Sequence, residues 1–224
     1  MYSLLNILRI YSNIHMHENK LCRRSKILNA FTSLVNRYGV EKTTMSDIAR
    51  HVGCSVGTIY NEFKDKEDLI YEFFMEHLNH ITSRLEEIKN SDLPPEEKLH
   101  QMIPGNLKFV IHELKDNSLF AEYLKSNTIT VRYLGQPELI SQKVFRKKYS
   151  SMIEAVIKEG VDSGIFEVDD PSEVAGILSD SMDAYALRVL IMQEKPKKNL
   201  ERAELMFKML LKSIKKNDFQ IQGK

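Results

Sequence analysis

The sequence predicts an all-α protein of about nine helices, arranged as an N-terminal three-helix unit and a larger helical body. Three observations predict it. Among 224 residues, glycine and proline occur only nine and six times. Glu, Lys, Leu, Ile and Met dominate the stretches between those breaks, and such side chains lose little freedom in a helix. No run of alternating β-branched residues bounded by turn signals marks a strand. The apolar share, 42% of residues, is enough for a core.

The first helix is expected over residues 25–38. Ile27, Leu28, Phe31, Leu34 and Val35 recur at helical spacing, and Ser25 is a suitable N-cap. Gly39 can take the left-handed conformation that ends a helix. Three capped helix starts follow. Thr44-x-x-Asp47 resembles a capping box, in which two side chains satisfy each other's free amides, and opens a helix over about 45–52. Gly53 breaks it. Ser55-x-x-Thr58 opens a second helix running to about Phe63, and Asp65-x-x-Asp68 opens a long third. The stripe Ile70, Phe74, Leu78, Ile81, Leu85 and Ile88 advances along it in steps of three and four.

Pro94 and Pro95 end that helix and start the next. Residues 95–115 keep a helical period, with a break at Pro104-Gly105. Residues 118–134 stay ambiguous. Leu119, Phe120, Tyr123 and Leu124 read as helix, whereas Thr128-Ile129-Thr130-Val131 is β-branched. Pro137 marks the start of a helix running to about Ser163, with Gly164 as terminator. Asp170-Pro171-x-Glu173 combines an N-cap, a first-turn proline and an acid at N3, and its helix reaches about Gln193. After a turn at Lys195-Pro196, a last amphipathic helix carries Leu200, Ala203, Met206, Phe207, Leu210, Leu211 and Ile214. The expected organisation is an extension (1–20), a reading head (21–66), a body (67–217) and a tail (218–224).

Charge is unevenly spread. Between residues 20 and 64, eight basic side chains face only Glu41, Asp47 and Glu62, while the remainder is net acidic. A basic head on an acidic body suits a polyanionic partner, although charge by itself is equally a solvated face. The two cysteines, Cys22 and Cys54, do not form a disulfide framework, which points to a reducing cytoplasm. No stretch reaches the ~18 apolar residues of a membrane span, so no membrane partner is expected. The opening MYSLLNILRIYSNIH is a poor signal peptide. Translation is expected to begin at Met16, with a short amphipathic N-terminal helix as the alternative.

One constellation carries function. In a helix-turn-helix, two short helices cross closely, so a small residue must stand where they meet and a glycine at the tight turn four residues on. Ala49 and Gly53 have that spacing, and Ile48, Val52, Ile59 and Phe63 supply the buried apolar residues around them. The spacing recurs by chance in helical proteins. The caps, the short helices and the basic surround strengthen it.

The run from Ile27 to Ile70 extends the match. It includes Ala30-Phe31, Tyr38-Gly39, Thr43-Thr44 and Asp47-Ile48-Ala49, then Gly53-x-Ser55-x-Gly57-Thr58-Ile59-Tyr60, Phe63 and Lys66-x-x-Leu69. This run resembles the DNA-binding region of TetR-family transcriptional regulators. The body matches only in outline, through Glu159-Gly160, Gly164-Ile165-Phe166 and Asp169-Asp170-Pro171. The resemblance implies double-stranded operator DNA as partner. Thr44 is then a phosphate contact, and Ser55, Val56, Gly57 and Thr58 form the tip of the recognition helix. Tyr60 and Lys66 contact the DNA backbone, and Arg23 and Arg24 serve as an arm. Arg50 and His51 are expected to face solvent, and Glu62 to point away from phosphate or meet a cytosine amine.

The same resemblance implies a ligand cavity in the body and a homodimer through its last two helices. Phe74, His77, Phe109, Tyr123, Tyr149 and Tyr185 are candidate pocket residues for an unknown apolar or aromatic effector. Leu178, Met182, Tyr185, Val189, Met206 and Leu210 are candidates for the dimer interface. Such residues serve an ordinary core equally well. His77 and His80 lack a third ligand at metal spacing, so no metal is expected and no cofactor. No phosphate loop or nucleophile elbow suggests an enzyme. Two competing readings remain at this point. In one, the body binds a protein or membrane instead of a small ligand. In the other, the chain is a helical carrier with a vestigial head.

Overall fold

The computed structural model describes residues 23–116, 120–121, 140–190 and 194–216. The expectations for the N-terminal extension, for Tyr123, for the start of a helix at Pro137 and for the tail lie outside these residues. So do most of the ambiguous residues 118–134. Among the described residues, 120–121 are helical, and a first helix, α1 (23–38), precedes eight more with defined bounds. These are α2 (Met45–Val52), α3 (Val56–Glu62), α4 (Lys66–Lys89), α5 (Pro95–Met102), α6 (Pro104–Asp116), α7 (Ile140–Asp162), α8 (Pro171–Leu190) and α9 (Pro196–Ile214). The extended pairing found among the described residues is a single antiparallel bridge between Phe166 and Lys215. The all-α expectation holds.

The starts and stops follow local chemistry. Gly39, Gly53 and Gly164 all have positive φ, the conformation L side chains resist. The Asp65 carboxylate accepts from the Asp68 amide at 2.8 Å, which satisfies a free donor where α4 begins. Asp170 does the same for α8, accepting from Ser172 and Glu173 at 3.0 Å each. Ser25 departs from expectation. It lies inside α1, because the helix is already formed at Arg23. The interruption expected at Pro104-Gly105 falls at Ile103, and Pro104 becomes the first residue of α6, where its missing N–H costs nothing.

The contacts divide the chain between Glu76 and His77, inside α4 and ten residues later than the head was expected to end. The reason is packing. Leu69, Phe73 and Phe74 are buried, and Arg24 of α1 pairs with Glu72 of α4 at 3.1 Å, so the first turns of α4 belong to the head. The head core gathers Ile27, Phe31, Val35, Ile48, Ile59, Phe63 and Leu69.

In the body, α5 packs on α6 and α7, α7 on α8, and α8 and α6 on α9. Leu99, Met102, Ile153, Val156, Ala175, Ala203 and Phe207 fill its centre. Two polar groups enter that core with partners, as burial requires. Tyr149 donates its hydroxyl to the Met102 carbonyl at 2.7 Å, a group that the end of α5 leaves without a helical donor. Lys98 is buried and reaches both Glu159 oxygens at 2.8 Å.

The passage from Gly160 to Phe166 closes the body. Ile165 and Phe166 both donate to the Gly160 carbonyl, at 2.8 and 3.0 Å, so the chain folds back over the end of α7. A Cβ on Gly160 would stand 2.0 Å from the Phe166 ring. Glu167 then donates to the Ile214 carbonyl and Lys216 to the Ile165 carbonyl, at 2.8 and 3.1 Å, tying the turn to the end of α9. Gly160→Ala is therefore expected to cost about 1–3 kcal/mol of stability, because the buried Phe166 must be displaced. Urea unfolding of the variant against wild type measures this loss.

Candidate nucleic-acid interface

The reading surface begins with a turn. Gly53 has φ 77°, and both its amide and that of Cys54 donate to the Ala49 carbonyl, at 2.9 and 3.0 Å. The chain is thereby redirected within three residues. Ala49 is buried where α2 and α3 meet, and Ile48, Ile59 and Phe63 close around it. Val52 is only half-buried, at the rim of this core and not within it.

The two helix starts are held from the side chains. Thr44 accepts from the Asp47 amide at 3.2 Å, while the Asp47 carboxylate accepts from the Thr44 amide at 3.1 Å and its hydroxyl at 2.6 Å. The reciprocal capping box is complete. These hydrogen bonds, those to the Thr44 side chain first and Arg50 at 3.5 Å last, hold the Asp47 carboxyl below the usual carboxylate range. Ser55 caps α3, accepting from the Thr58 amide at 3.1 Å, and its hydroxyl lies 2.9 Å from that of Thr58.

Beyond Ser55, the first turn of α3 faces outward. Val56 and Gly57 are exposed, Thr58 is half-buried, and Tyr60 is 52% exposed. Thr44 is exposed at the start of α2. Lys66, at the first turn of α4, is held by the Val40 carbonyl at 3.1 Å. The two arginines differ. Arg23 is open to solvent and lies 3.7 Å from Glu62. Arg24 is occupied by the protein. It donates to the Glu62 carbonyl, stacks 4.3 Å over the Phe63 ring and pairs with Glu72. It thus satisfies the carbonyl end of α3, where a cation is favoured. The Glu62 side chain is turned inward and paired with Arg23.

Sequence reasoning left unused a cleft of about 400 Å³ beside α2, lined by Leu34, Tyr38, Lys42, Thr43, Asp47, Arg50 and His51. The exposed Tyr38, with Arg37 5.2 Å over its ring, was the available signal. It widens the basic surface flanking the start of α2.

The described candidate effector residues are spread over α4, α6, α7 and α8. Phe74 is buried on the head side of the division in α4. His77 and Phe109 lie between α4 and α6. His77 stacks on Phe120 at 4.9 Å and approaches Glu113 at 3.8 Å, while Phe109 meets the edge of His80 at 5.6 Å. Tyr149 instead faces the end of α5, and the Tyr185 hydroxyl reaches the Met206 sulfur on α9 at 3.8 Å. Of the residues expected at a dimer interface, Leu178 and Met182 are buried within the protomer itself. Val189, Met206 and Leu210 are half-buried. The apolar side chains left outside on α8 and α9 are Ile177, Leu205 and Met209, at 51, 62 and 67% exposure.

Two short helices crossing at a glycine turn, with the first turn of the second exposed on a basic head, define a helix-turn-helix transcriptional regulator. Residues 27–73 match the family model of bacterial regulatory proteins of the tetR family. The chain is 28% identical to the HTH-type transcriptional regulator YhgD of Bacillus subtilis over 70% of its own length and 78% of that protein's. It is 29% identical to the fatty acid metabolism regulator protein of the same organism, covering 62% of this chain and 68% of that one. The fold matches the crystal structure of FadR from Bacillus subtilis in complex with stearoyl-CoA, with a TM-score of 0.58 and 22% identity over 85% of this chain and 98% of that one. The tetR-family match covers the head, and together these comparisons support a TetR-family transcriptional regulator.

The capping box sets a pH test. Because the folded Asp47 carboxyl titrates below its ordinary range, its contribution to stability is present above that range and is lost as pH falls through the folded value. Asp47→Ala should therefore unfold at a lower temperature than wild type near neutral pH. The gap should close as the pH drops below the usual carboxylate values, which calorimetry across that window would show.

Proposed function

We propose that the protein is a homodimeric repressor that binds a two-fold symmetric operator and is released when a small effector binds the body. The observation that supports it best is Gly57. This glycine sits in the first turn of α3 with ordinary helical φ, and a Cβ there would meet only the Ser55 hydroxyl, at 3.8 Å. In the free protein alanine fits, and a helical glycine costs about 1 kcal/mol relative to it. The missing side chain gains a purpose only when another surface lies against the helix. A recognition helix pressed into the major groove is such a case, with Val56 against a thymine methyl and Thr58 bonded to a base or phosphate. Thr44, Tyr60, Lys66 and Arg23 then hold phosphates on either side. Arg24 supports them by fixing α3 to α1 and α4.

A single head reads few bases, so a second copy supplies the other half-site. The exposed Ile177, Leu205 and Met209 on α8 and α9, with the half-buried Val189, Met206 and Leu210 beside them, form the apolar face offered to that copy. Release is a population shift. The effector binds one arrangement of the body better than another, and α4, which begins at Lys66 in the head and continues into the body, carries the difference. The stearoyl-CoA held by the FadR structure supports an effector with an apolar portion.

Selection of bound duplexes from a random pool, at stated physiological salt, tests the reading. Enrichment of a palindrome with half-sites about one or one and a half turns apart is expected. Binding without a consensus that fades as salt rises would mean that the head is only an electrostatic anchor. A second test separates stability from function. Gly57→Ala should raise thermal stability slightly, by up to about 1 kcal/mol, yet weaken binding to the selected site at least tenfold. Equal affinity for both forms removes the close-approach argument.

A further inference from the structure

Among the described residues, Arg84 is the cation with a side-chain donor that is buried and without a hydrogen-bond partner. Arg84 lies on α4 amid the buried Ile81, Leu85 and Ile88. Its guanidinium carbon stands 5.0 Å from the centre of the Phe109 ring on α6. Its Nη1 is buried and has no hydrogen-bond partner, and no carboxylate pairs with it among the described residues. Glu113, one turn beyond Phe109 on α6, is drawn to His77 instead. Asn106, one turn before Phe109, is buried, and its Oδ1 also lacks a partner. His80 meets the same ring edge-on at 5.6 Å.

A guanidinium N–H taken out of water and left unpaired destabilises the fold. The Phe109 contact positions the group without consuming that donor. A buried donor kept free in this way fits an incoming acceptor, and guanidinium matches the paired oxygens of a carboxylate or phosphate. We propose that Arg84 anchors an anionic group of the effector, a carboxylate or phosphate ester, between α4 and α6 beside Phe109. The Asn106 carbonyl accepts from a hydroxyl or amide elsewhere on the same ligand. This proposal rests on the effector reading above.

The test uses the full-length protein, its Arg84→Met variant and three probes: octanoate, octyl phosphate and octanol. Thermal stability and release of the selected operator are followed together. Without ligand, Arg84→Met should be as stable as wild type or more so, since a buried unpaired N–H is removed while the apolar stem is kept. At least one anionic probe should bind wild type, and binding should weaken on the order of ten- to a hundredfold in the variant. Octanol should not distinguish the two proteins. A response to octanoate but not octyl phosphate assigns a carboxylate, and the reverse assigns a phosphate. A marked loss of stability in unliganded Arg84→Met shows a structural cation and overturns the proposal. Equal anion binding by both proteins overturns it too, while leaving the effector reading intact. If no probe binds or releases wild type from its operator, both readings fall.

Discussion

A helix of seven residues has no stability of its own in water, because nucleation costs more than so few hydrogen bonds return. Everything the head does depends on holding α3 in place despite that. The packing of Ile59 and Phe63 against Ile48 and Ala49 supplies most of the hold, and Gly53 allows the helices to approach closely enough for it. The ends are then secured separately. Ser55 satisfies the amide end, and Arg24 satisfies the carbonyl end while bridging to α1 and α4. One face of α3 is spent entirely on this attachment. The other is left free, and only that face can recognise anything.

The contrast between Arg23 and Arg24 follows from the same constraint. Adjacent residues on a helix point about 100° apart, so two neighbouring arginines cannot share a role by default. Arg24 falls on the side that meets α3 and α4 and is consumed by a carbonyl, a carboxylate and an aromatic ring. Arg23 falls toward solvent, 55% exposed, with the Glu62 carboxylate 3.7 Å away. Charge density along the sequence treats the two as equal, whereas the fold does not.

The body partners some of its buried polar groups well and leaves others, on Arg84, Asn106 and Asn199, with an unpaired atom. Lys98 and Tyr149 are buried with good partners, the first on a carboxylate and the second on a helix-end carbonyl. Gly160 makes room for Phe166, so the turn after α7 closes over a ring and not a void. Arg84, over the Phe109 ring, and Asn106, one turn before Phe109 on α6, by contrast each carry an unpaired atom. A well-packed body can tolerate such unpaired groups where binding requires them, since stability and function need not be optimised at the same residues.

What the sequence by itself determined is whatever depends on residues three or four apart. The capping pairs Thr44–Asp47, Ser55–Thr58, Asp65–Asp68 and Asp170–Glu173 stand where they were read, and so do the turns at Gly39, Gly53 and Gly164. Helix existence, the turn and the exposed tip of α3 were legible because their causes are local. The tertiary structure decided which of two adjacent apolar residues on a broad stripe faces inward. It placed Leu178 in the core and Ile177 outside, left Val52 at the rim, and set Tyr149 against the end of α5 and Tyr185 against α9. An apolar stripe spans more than a quarter of a helix's circumference, so its period fixes a face but not a neighbour. The neighbour comes from helices distant in sequence. The unpaired Arg84 became visible for the same reason, because a missing partner can be seen only once every surrounding group has been placed.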